Sequence, residues 1–292
     1  MRNSIHEIQY KAGLEATQKR AEDEPREVPH DERAFFESFY AANISGVPED
    51  HMTIGAISDL EARFHYNAVE NGIIRALARR NPPPPSGMVT TQRLLARRNA
   101  CRHLDVGSGT GHWIDFMVDV FSVRESVGFE ITERMSQHLQ EKYDSRENIR
   151  VECVDISDPS FDPGSVGPAF DYITAIGVMF HIVDDARWTR AVEVLTRMLK
   201  PNGLLIVGGD FGSETRNVEF HDSDNFESWK SFRRADPSSG EIRVNKRVRS
   251  LATWQDLVSR CGLTIVDLVR SDRDPLITTP ENDVLVLVKE PS

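Results

Sequence analysis

The sequence predicts an α/β fold, namely a doubly wound, mostly parallel seven-stranded sheet with helices on both faces, an antiparallel last strand and an N-terminal helical extension. From residue 101 onward, strand patterns alternate with helix patterns, which is typical of a parallel sheet covered by helices. A glycine-rich turn at 107–111 follows the first of these strands. The last two strands have no helical pattern between them, which favours an antiparallel pair.

The residues before the alternating part predict a tail and a helical cap. Residues 1–30 are charged and poor in large apolar side chains, so we expect a flexible or loosely helical tail. In the cap, residues 31–100, a helix over about 31–42 carries an aromatic stripe, and a second helix begins at Ser58, where Ser58 and Glu61 fit a capping box. A proline-rich connector follows this second helix, and a short helix near 91–98 leads to the first strand.

Residues 101–292 are expected to form the α/β domain. The predicted strands are 101–106, 126–129, 149–154, 172–176, 204–207, 264–268 and 284–288. The predicted helices are 113–121, 132–143, 186–199 and 253–261. The connection 211–250 is far longer than usual and leaves the carboxyl edge of the sheet, where ligands bind, so we expect it to act as a lid.

The composition of the 292 residues, with 39% hydrophobic and 28% charged side chains, is that of a soluble globular protein. No apolar run approaches the roughly 20 residues that span a bilayer, and the polar first residues lack a signal-peptide segment. We therefore expect a cytoplasmic protein with no membrane partner. Its three cysteines have no metal-ligand spacing and are expected to be buried thiols.

Charge is distributed unevenly along the chain. The formal net charge of −11 argues against a protein that coats nucleic acid, but residues 71–104 and 230–249 are rich in arginine and lysine. One interpretation is a surface for RNA or another polyanion. The alternative, which we favour, is that these arginines lie over the fold and pair with acids of the N-terminal region.

The glycine turn indicates which kind of ligand approaches it. Its glycines are Gly107, Gly109 and Gly111, whereas a dinucleotide motif would also require glycine at the position of His112. Asp105 lies two residues before the first glycine, at the end of a buried strand. A carboxylate there favours a ligand that carries an ammonium group and disfavours a pyrophosphate.

Two further acids end the next two strands. Glu130 is placed to accept hydrogen bonds from the two hydroxyls of a ribose. Asp155 could accept from an adenine amino group while Ile156 packs on the ring. Any one of these acids could be a solvated side chain or a helix cap, but three at successive strand ends indicate a binding site.

With these motifs, residues 101 to about 290 resemble a class I, seven-strand S-adenosylmethionine-dependent methyltransferase domain. The resemblance is carried by CRHLDVGSGTGHW, SVGFEIT, VECVDIS, FDYITAIGVMFHIVDD and LKPNGLLIVGGD. It implies S-adenosylmethionine as cofactor and S-adenosylhomocysteine as product. It also implies that the loop Asp105–Gly111, including Ser108, holds the methionine part. By the same resemblance Glu130 and Ile131 hold the ribose, Asp155 and Ile156 hold the adenine, and Gly177 and Val178 line the pocket.

The acceptor is less well defined by the sequence. We expect a small molecule methylated at oxygen or nitrogen; an RNA or polyanion substrate, or a non-catalytic cofactor-binding protein, are the alternatives. His181 is the candidate base; the alternative is that it caps or packs at a helix start. Tyr40, Tyr66 and Trp229 are candidate acceptor contacts, although such aromatic residues are usual in cores. No acid and histidine spacing suggests a metal, so none is predicted.

Overall fold

The computed structural model describes residues 26–27, 29–54, 58–80, 100–209, 211, 218–221, 241–242, 244–270 and 283–291. The helices in these ranges are α1 (Glu32–Asn43), α2 (Asp50–Thr53), α3 (Asp59–Arg80), α4 (His112–Asp115), α5 (Glu133–Lys142), α6 (Asp185–Met198) and α7 (Leu251–Arg260). A π-helical turn (Phe116–Val120) continues α4, and Pro163–Val166 forms a 3-10 turn. The strands are β1 (Arg26–Glu27), β2 (Arg102–Val106), β3 (Glu125–Glu130), β4 (Ile149–Cys153), β5 (Phe170–Ile176), β6 (Leu199–Gly209), β7 (Val218–His221), β8 (Glu241–Ile242), β9 (Val244–Val248), β10 (Leu263–Val269) and β11 (Asp283–Lys289).

The main sheet has seven strands in the order β10-β11-β6-β5-β2-β3-β4. β2, β3, β4, β5 and β6 pair in parallel, whereas β11 runs antiparallel to both β6 and β10. The predicted fold class is therefore confirmed, including the antiparallel last strand. β6 begins earlier than predicted because the turn before it, where Asn202 has a φ of 62°, interrupts the register with β5 without ending the pairing.

Both faces of the sheet are buried, as alternation along β6 shows. Leu205 and Val207 belong to the core that contains Trp188 of α6, while Leu204 and Ile206 belong to the core beneath α3 and α4. Successive side chains of a strand point to opposite faces, so a strand covered on both sides is apolar throughout. This burial accounts for the continuous apolar run LLIV in the sequence.

The two longer N-terminal helices have different packing partners. The buried residues Val69 and Ile73 of α3 pack against Val284 of β11, so α3 is part of the helical layer on the sheet. α1 instead packs through Phe39 and Tyr40 onto α5. The predicted cap thus contributes one helix to the sheet layer and places another near the carboxyl ends of the strands.

Side-chain caps explain where the predicted helices begin. Ser58 accepts a hydrogen bond from the backbone N of Glu61 (3.3 Å), which is the predicted cap of α3. Asp31, Asp184 and Ser250 accept equivalent bonds at the starts of α1, α6 and α7.

Some predicted segments lie outside the described residues. They are residues 1–25 of the tail, the connector after α3 with the helix near 91–98, and most of the connection 211–250. Within that connection, β7 pairs antiparallel with β9, and β8 pairs in parallel with β1; the sequence did not predict these strands. Among the described helices, none has the length and apolarity needed to cross a membrane.

Close packing of α3 on β11 requires glycine at position 72. A Cβ atom on Gly72 would lie 2.7 Å from Cγ2 of Val284. We therefore expect Gly72→Leu to lower the free energy of unfolding by about 1–3 kcal/mol, because the side chain would force the helix away from the strand. Denaturant unfolding measures this change. Asn71→Leu on the exposed neighbouring position is the control, with an expected change within about 0.5 kcal/mol. Equal effects of the two substitutions would contradict the packing argument.

Candidate functional site

A cavity of about 190 Å³ opens at the carboxyl ends of β2, β3, β4 and β5. Strand ends form one wall, and α1, α3 and the residues near α2 form the other. The predicted site residues that line it are Tyr40, Tyr66, Gly107, Ser108, Gly109, Glu130, Ile131, Asp155, Ile156, Gly177, Val178 and His181. Asp105 and Gly111 lie behind this wall, and Trp229 is outside the described residues.

The glycine loop after β2 packs closely against the residues that follow β5 and α5. Gly107 and Gly111 have φ angles of 68° and 88°, a region that favours glycine. A Cβ on Gly107 would collide with Val178, and one on Gly111 would collide with Tyr143. Gly109, with a φ of 52°, has only Thr53 near its Cβ position, at 4.0 Å. The loop backbone therefore faces the cavity at Gly109. Its two ends pack closely against Val178, which follows β5, and Tyr143, which follows α5.

Behind the loop, a chain of buried hydrogen bonds crosses three strands. Burial lowers the pKa of His103 to about 3, so its ring is neutral. Thr174 Oγ1 donates to Asp105 Oδ1 (2.6 Å), so it must accept from His103 Nε2 (2.8 Å). Ser126 Oγ then donates to His103 Nδ1 (2.8 Å). This order fixes the ring tautomer and orients the Asp105 carboxyl.

The second oxygen of the Asp105 carboxyl, Oδ2, indicates which charge a ligand near the loop should carry. Asp105 is fully buried, and Oδ2 has no hydrogen-bond partner among the described residues. Burial raises the pKa of Asp105 to about 7, against the lowering effect of the Thr174 hydrogen bond. A positive ligand charge close to the loop would stabilise the carboxylate form. The residues present therefore fit a cofactor that carries an ammonium group.

Glu130 at the end of β3 connects that strand to the glycine loop. Its Oε2 accepts from Gly109 N (3.1 Å), and its Oε1 accepts from Thr132 N (3.2 Å) and Oγ1 (3.1 Å). Burial raises the pKa of this carboxyl, and the backbone donors oppose the shift. A carboxylate offers about four acceptor positions, so one remains available to a ligand hydroxyl.

Asp155, after β4, takes part in an ion-pair chain that reaches α1. Its Oδ1 accepts from Ser157 N (2.9 Å) and Oγ (2.6 Å), and its Oδ2 accepts from Arg187 Nη2 (2.7 Å). Arg187 Nη1 pairs in turn with Glu32. Sequence analysis did not identify Arg187 or Glu32 as site residues, because they lie 155 positions apart and share no motif.

His112, directly after the glycine loop, connects α4 to α2 and α3. Its Nδ1 lies 3.3 Å from Asp50 Oδ2, and its Nε2 lies 2.9 Å from Glu70 Oε1. Tyr66 stacks on the ring with centroids 3.8 Å apart, and the Thr110 hydroxyl donates to Asp50. Burial alone would lower the pKa of His112, but the hydrogen bonds to the two carboxylates raise it to about 9. The residue that breaks the dinucleotide motif is therefore an imidazolium that attaches the N-terminal helices to the loop.

His181 lies in the turn between β5 and α6 and lines the cavity. Phe36 of α1 meets its ring edge-on at 4.9 Å, and Phe180 lies 4.6 Å away, measured between ring centroids. The helix start itself is capped by Asp184, so His181 has no capping role there.

The fold also brings together one group with metal-ligand atoms. Glu49, His51 and Asp59 place them within 4.8 Å of one another, although their spacing in the sequence did not suggest a site. His51 Nδ1 lies 2.6 Å from Asp59 Oδ1 and so connects α2 to the start of α3. Both carboxylates are exposed, and such groups are common without an ion.

Several arginines of the two basic stretches pair with acids of the fold. Arg79 contacts both carboxylate oxygens of Asp267 at 2.9 Å. Arg102 pairs with Glu125, and Arg249 pairs with Asp185. The pairing that we favoured is present at these positions, but the partners lie in the α/β domain and not in the N-terminal region.

Comparison with known proteins agrees with this geometry. Residues 104–203 match a family model described as a methyltransferase domain. The fold is similar to that of the N-methyltransferase NodS from Bradyrhizobium japonicum in complex with S-adenosylhomocysteine (14% identity, TM-score 0.51, 88% of this chain and 99% of that chain). It is also similar to the CcbJ methyltransferase from Streptomyces caelestis (16% identity, TM-score 0.53, 90% of this chain and 100% of that chain). No curated protein matches the sequence.

The strand order, the site at the sheet edge and the family match together define a class I methyltransferase domain. Residues 104–203 belong to the methyltransferase-domain family, and the comparisons support S-adenosylmethionine as cofactor and S-adenosylhomocysteine as product. The predicted family and cofactor are confirmed.

The His112 contacts predict how stability depends on pH. The folded-state pKa of about 9 lies above the ordinary value of 6.5, so the folded protein binds this proton more tightly. The resulting stabilisation is complete below about pH 6.5 and disappears as the pH rises through about 9. We expect the stability advantage of the wild type over His112→Asn to shrink by on the order of 2 kcal/mol between pH 6.5 and pH 10.

Denaturant unfolding across this pH range measures the difference between the two proteins. The matched control is His138→Asn, because burial lowers the pKa of His138, which is the opposite direction to the shift of His112. The advantage of the wild type over this control should stay constant. A pH-independent difference for His112→Asn would contradict the imidazolium assignment.

Proposed function

We propose that the protein transfers the methyl group of S-adenosylmethionine to an oxygen or nitrogen atom of a small molecule bound in the cavity. One observation carries this proposal. A single cavity is lined by most of the residues predicted to bind the cofactor, by His181 and by aromatic side chains of α1 and α3. A donor and an acceptor held side by side in such a chamber react faster chiefly because they are aligned and shielded from water.

On the cofactor side, each strand end has its own proposed role. The loop from Asp105 to Gly111 holds the methionine part, Glu130 and Ile131 hold the ribose, and Asp155 and Ile156 hold the adenine. Gly177 and Val178 close the pocket after β5. The cofactor, when bound, supplies a methyl group activated by the adjacent sulfonium. The buried Asp105 oxygen without a partner and the Gly109 backbone that faces the cavity support this assignment.

On the acceptor side, the N-terminal helices form the wall. Tyr40 and Tyr66 are buried and line the cavity, together with Phe36 and Phe39 of α1. Lys246 of β9, from the connection that we expect to act as a lid, completes this wall. A chamber built of aromatic rings under a helical cap suits a small, partly apolar acceptor.

The ion pairs disfavour the alternative of an RNA or polyanion substrate. Arg79 and Arg102 each bind a carboxylate with two hydrogen bonds, and the Arg102 side chain is 4% exposed. Cations paired in this way contribute little to a surface that attracts phosphates.

Methyl transfer can be tested with cofactor labelled in the methyl group. The protein is incubated with this cofactor and with separated small-molecule, RNA and protein fractions of a cell extract. The proposal expects label in the small-molecule fraction. Label in RNA alone, or no transfer to any fraction although the cofactor binds, would overturn it.

The role of Glu130 predicts the effect of its substitution. Glu130→Gln keeps the shape of the side chain but replaces one acceptor oxygen with a donor, so the bonds to Gly109 and Thr132 cannot both persist. We expect the affinity for S-adenosylhomocysteine to fall roughly 10- to 100-fold. Titration calorimetry measures the affinity. Glu152→Gln on β4, whose side chain pairs with Arg150 and does not line the cavity, should bind as the wild type does. An unchanged affinity in Glu130→Gln would remove Glu130 from the site.

His181 is the proposed base if the acceptor must lose a proton. His181→Ala should then lower turnover roughly 100- to 10,000-fold while the affinity for S-adenosylhomocysteine changes less than about threefold. Steady-state kinetics on the acceptor found above, with calorimetry alongside, separates the two quantities. His138→Ala, which does not line the cavity, is the control. Unchanged turnover in His181→Ala would show that its ring only packs against Phe36.

A further inference from the structure

Glu32 is a buried carboxylate at the adenine end of the cavity. It is the first residue of α1, it lines the cavity, and it is 3% exposed. Its Oε2 pairs with Arg187 Nη1. Its Oε1 is buried and has no hydrogen-bond partner among the described residues.

An unpartnered oxygen of this kind is costly in the folded protein. A carboxylate removed from water without a donor loses its solvation, and nearly all buried polar atoms in proteins have a partner. Burial raises the pKa of Glu32 in spite of its own backbone N–H and the nearby guanidinium, so these contacts do not compensate for the lost water. The missing donor is therefore to be sought in a ligand of the cavity.

The position of Glu32 indicates which part of the ligand this is. The guanidinium of Arg187 binds Glu32 through Nη1 and Asp155 through Nη2. The two carboxyl groups are therefore held next to each other by one planar group. Asp155 is the residue proposed to accept from the adenine amino group. That amino group has two N–H bonds, and a single carboxylate oxygen receives only one of them.

We propose that Glu32 Oε1 accepts the second N–H of the adenine 6-amino group, so that a residue of the N-terminal helix α1 recognises the cofactor base. This inference rests on the proposed adenine site at Asp155. It assigns α1 a role beyond the acceptor wall, because the base is then held between the sheet edge and α1.

A purely structural role for Glu32 predicts a different result. If Glu32 served only as part of the cavity wall, its loss would weaken the binding of every ligand by the same factor, whatever group stands at purine position 6. If Glu32 reads the amino group, its loss would weaken only the ligand that carries that group. The ratio of the dissociation constants of two ligands, one with and one without the 6-amino group, separates these cases independently of catalysis.

The experiment measures binding of S-adenosylhomocysteine and of its analogue with hydrogen in place of the 6-amino group, by calorimetry on the full chain. The wild type should bind S-adenosylhomocysteine roughly 100-fold more tightly, and Glu32→Ala should reduce this ratio roughly tenfold. The matched control is Glu37→Ala on the same helix. Glu37 accepts from Glu133 N (2.8 Å) and does not line the cavity, so its ratio should equal that of the wild type.

Each outcome decides the inference. An unchanged ratio in Glu32→Ala, with both ligands weakened alike, overturns it, and so does a wild type that binds both ligands equally. Either result leaves the cofactor site standing, because S-adenosylhomocysteine still binds. Failure of the wild type to bind S-adenosylhomocysteine at all would instead overturn the proposed function. If Glu32→Ala does not fold, the ratio measured on Glu32→Gln is used, with a reduction of roughly threefold or more expected, because a neutral amide is a weaker acceptor.

Discussion

The bond from Gly109 N to the buried Glu130 carboxylate is the contact on which the rest of the site depends. It fixes the glycine loop of β2 against the end of β3, so the loop backbone is presented to the cavity. Gly107 and Gly111 hold the two ends of the loop in conformations that favour glycine. The sheet supplies this arrangement because parallel strands end at one edge, where the carboxyl groups after β2, β3 and β4 gather.

Two clusters of charge then attach the N-terminal helices to that edge. His112 contacts Asp50 and Glu70 directly after the glycine loop, and Arg187 contacts Glu32 and Asp155 after the end of β4. Both clusters are partly buried, and ion pairs removed from water interact more strongly than at the surface but must compensate for lost hydration. The helices are consequently held most firmly where their charges meet the strand ends, on either side of the cavity.

Local sequence patterns predicted the elements and site residues whose signals lie within a few positions of the chain. The period of 3.6 residues and the capping box at Ser58 placed α3, and the spacing of the glycines and acids indicated the cofactor. Sequence analysis did not show that α3 joins the sheet layer, because a helical pattern reveals an apolar face but not its partner. It missed α2, which is only four residues long, and the contact between Glu32 and Arg187, which joins distant segments.

This difference explains why the cofactor could be inferred and the acceptor could not. The residues proposed to bind the cofactor follow single strands, so each has a signature within a few positions of the chain. The proposed acceptor wall combines Phe36 of α1, Tyr66 of α3, His181 after β5 and Lys246 of β9, which line one cavity only in the fold. Aromatic residues at helical spacing also build ordinary cores, so their sequence pattern alone does not indicate a binding role; in the fold, Tyr40 and Tyr66 are both buried and part of the cavity lining.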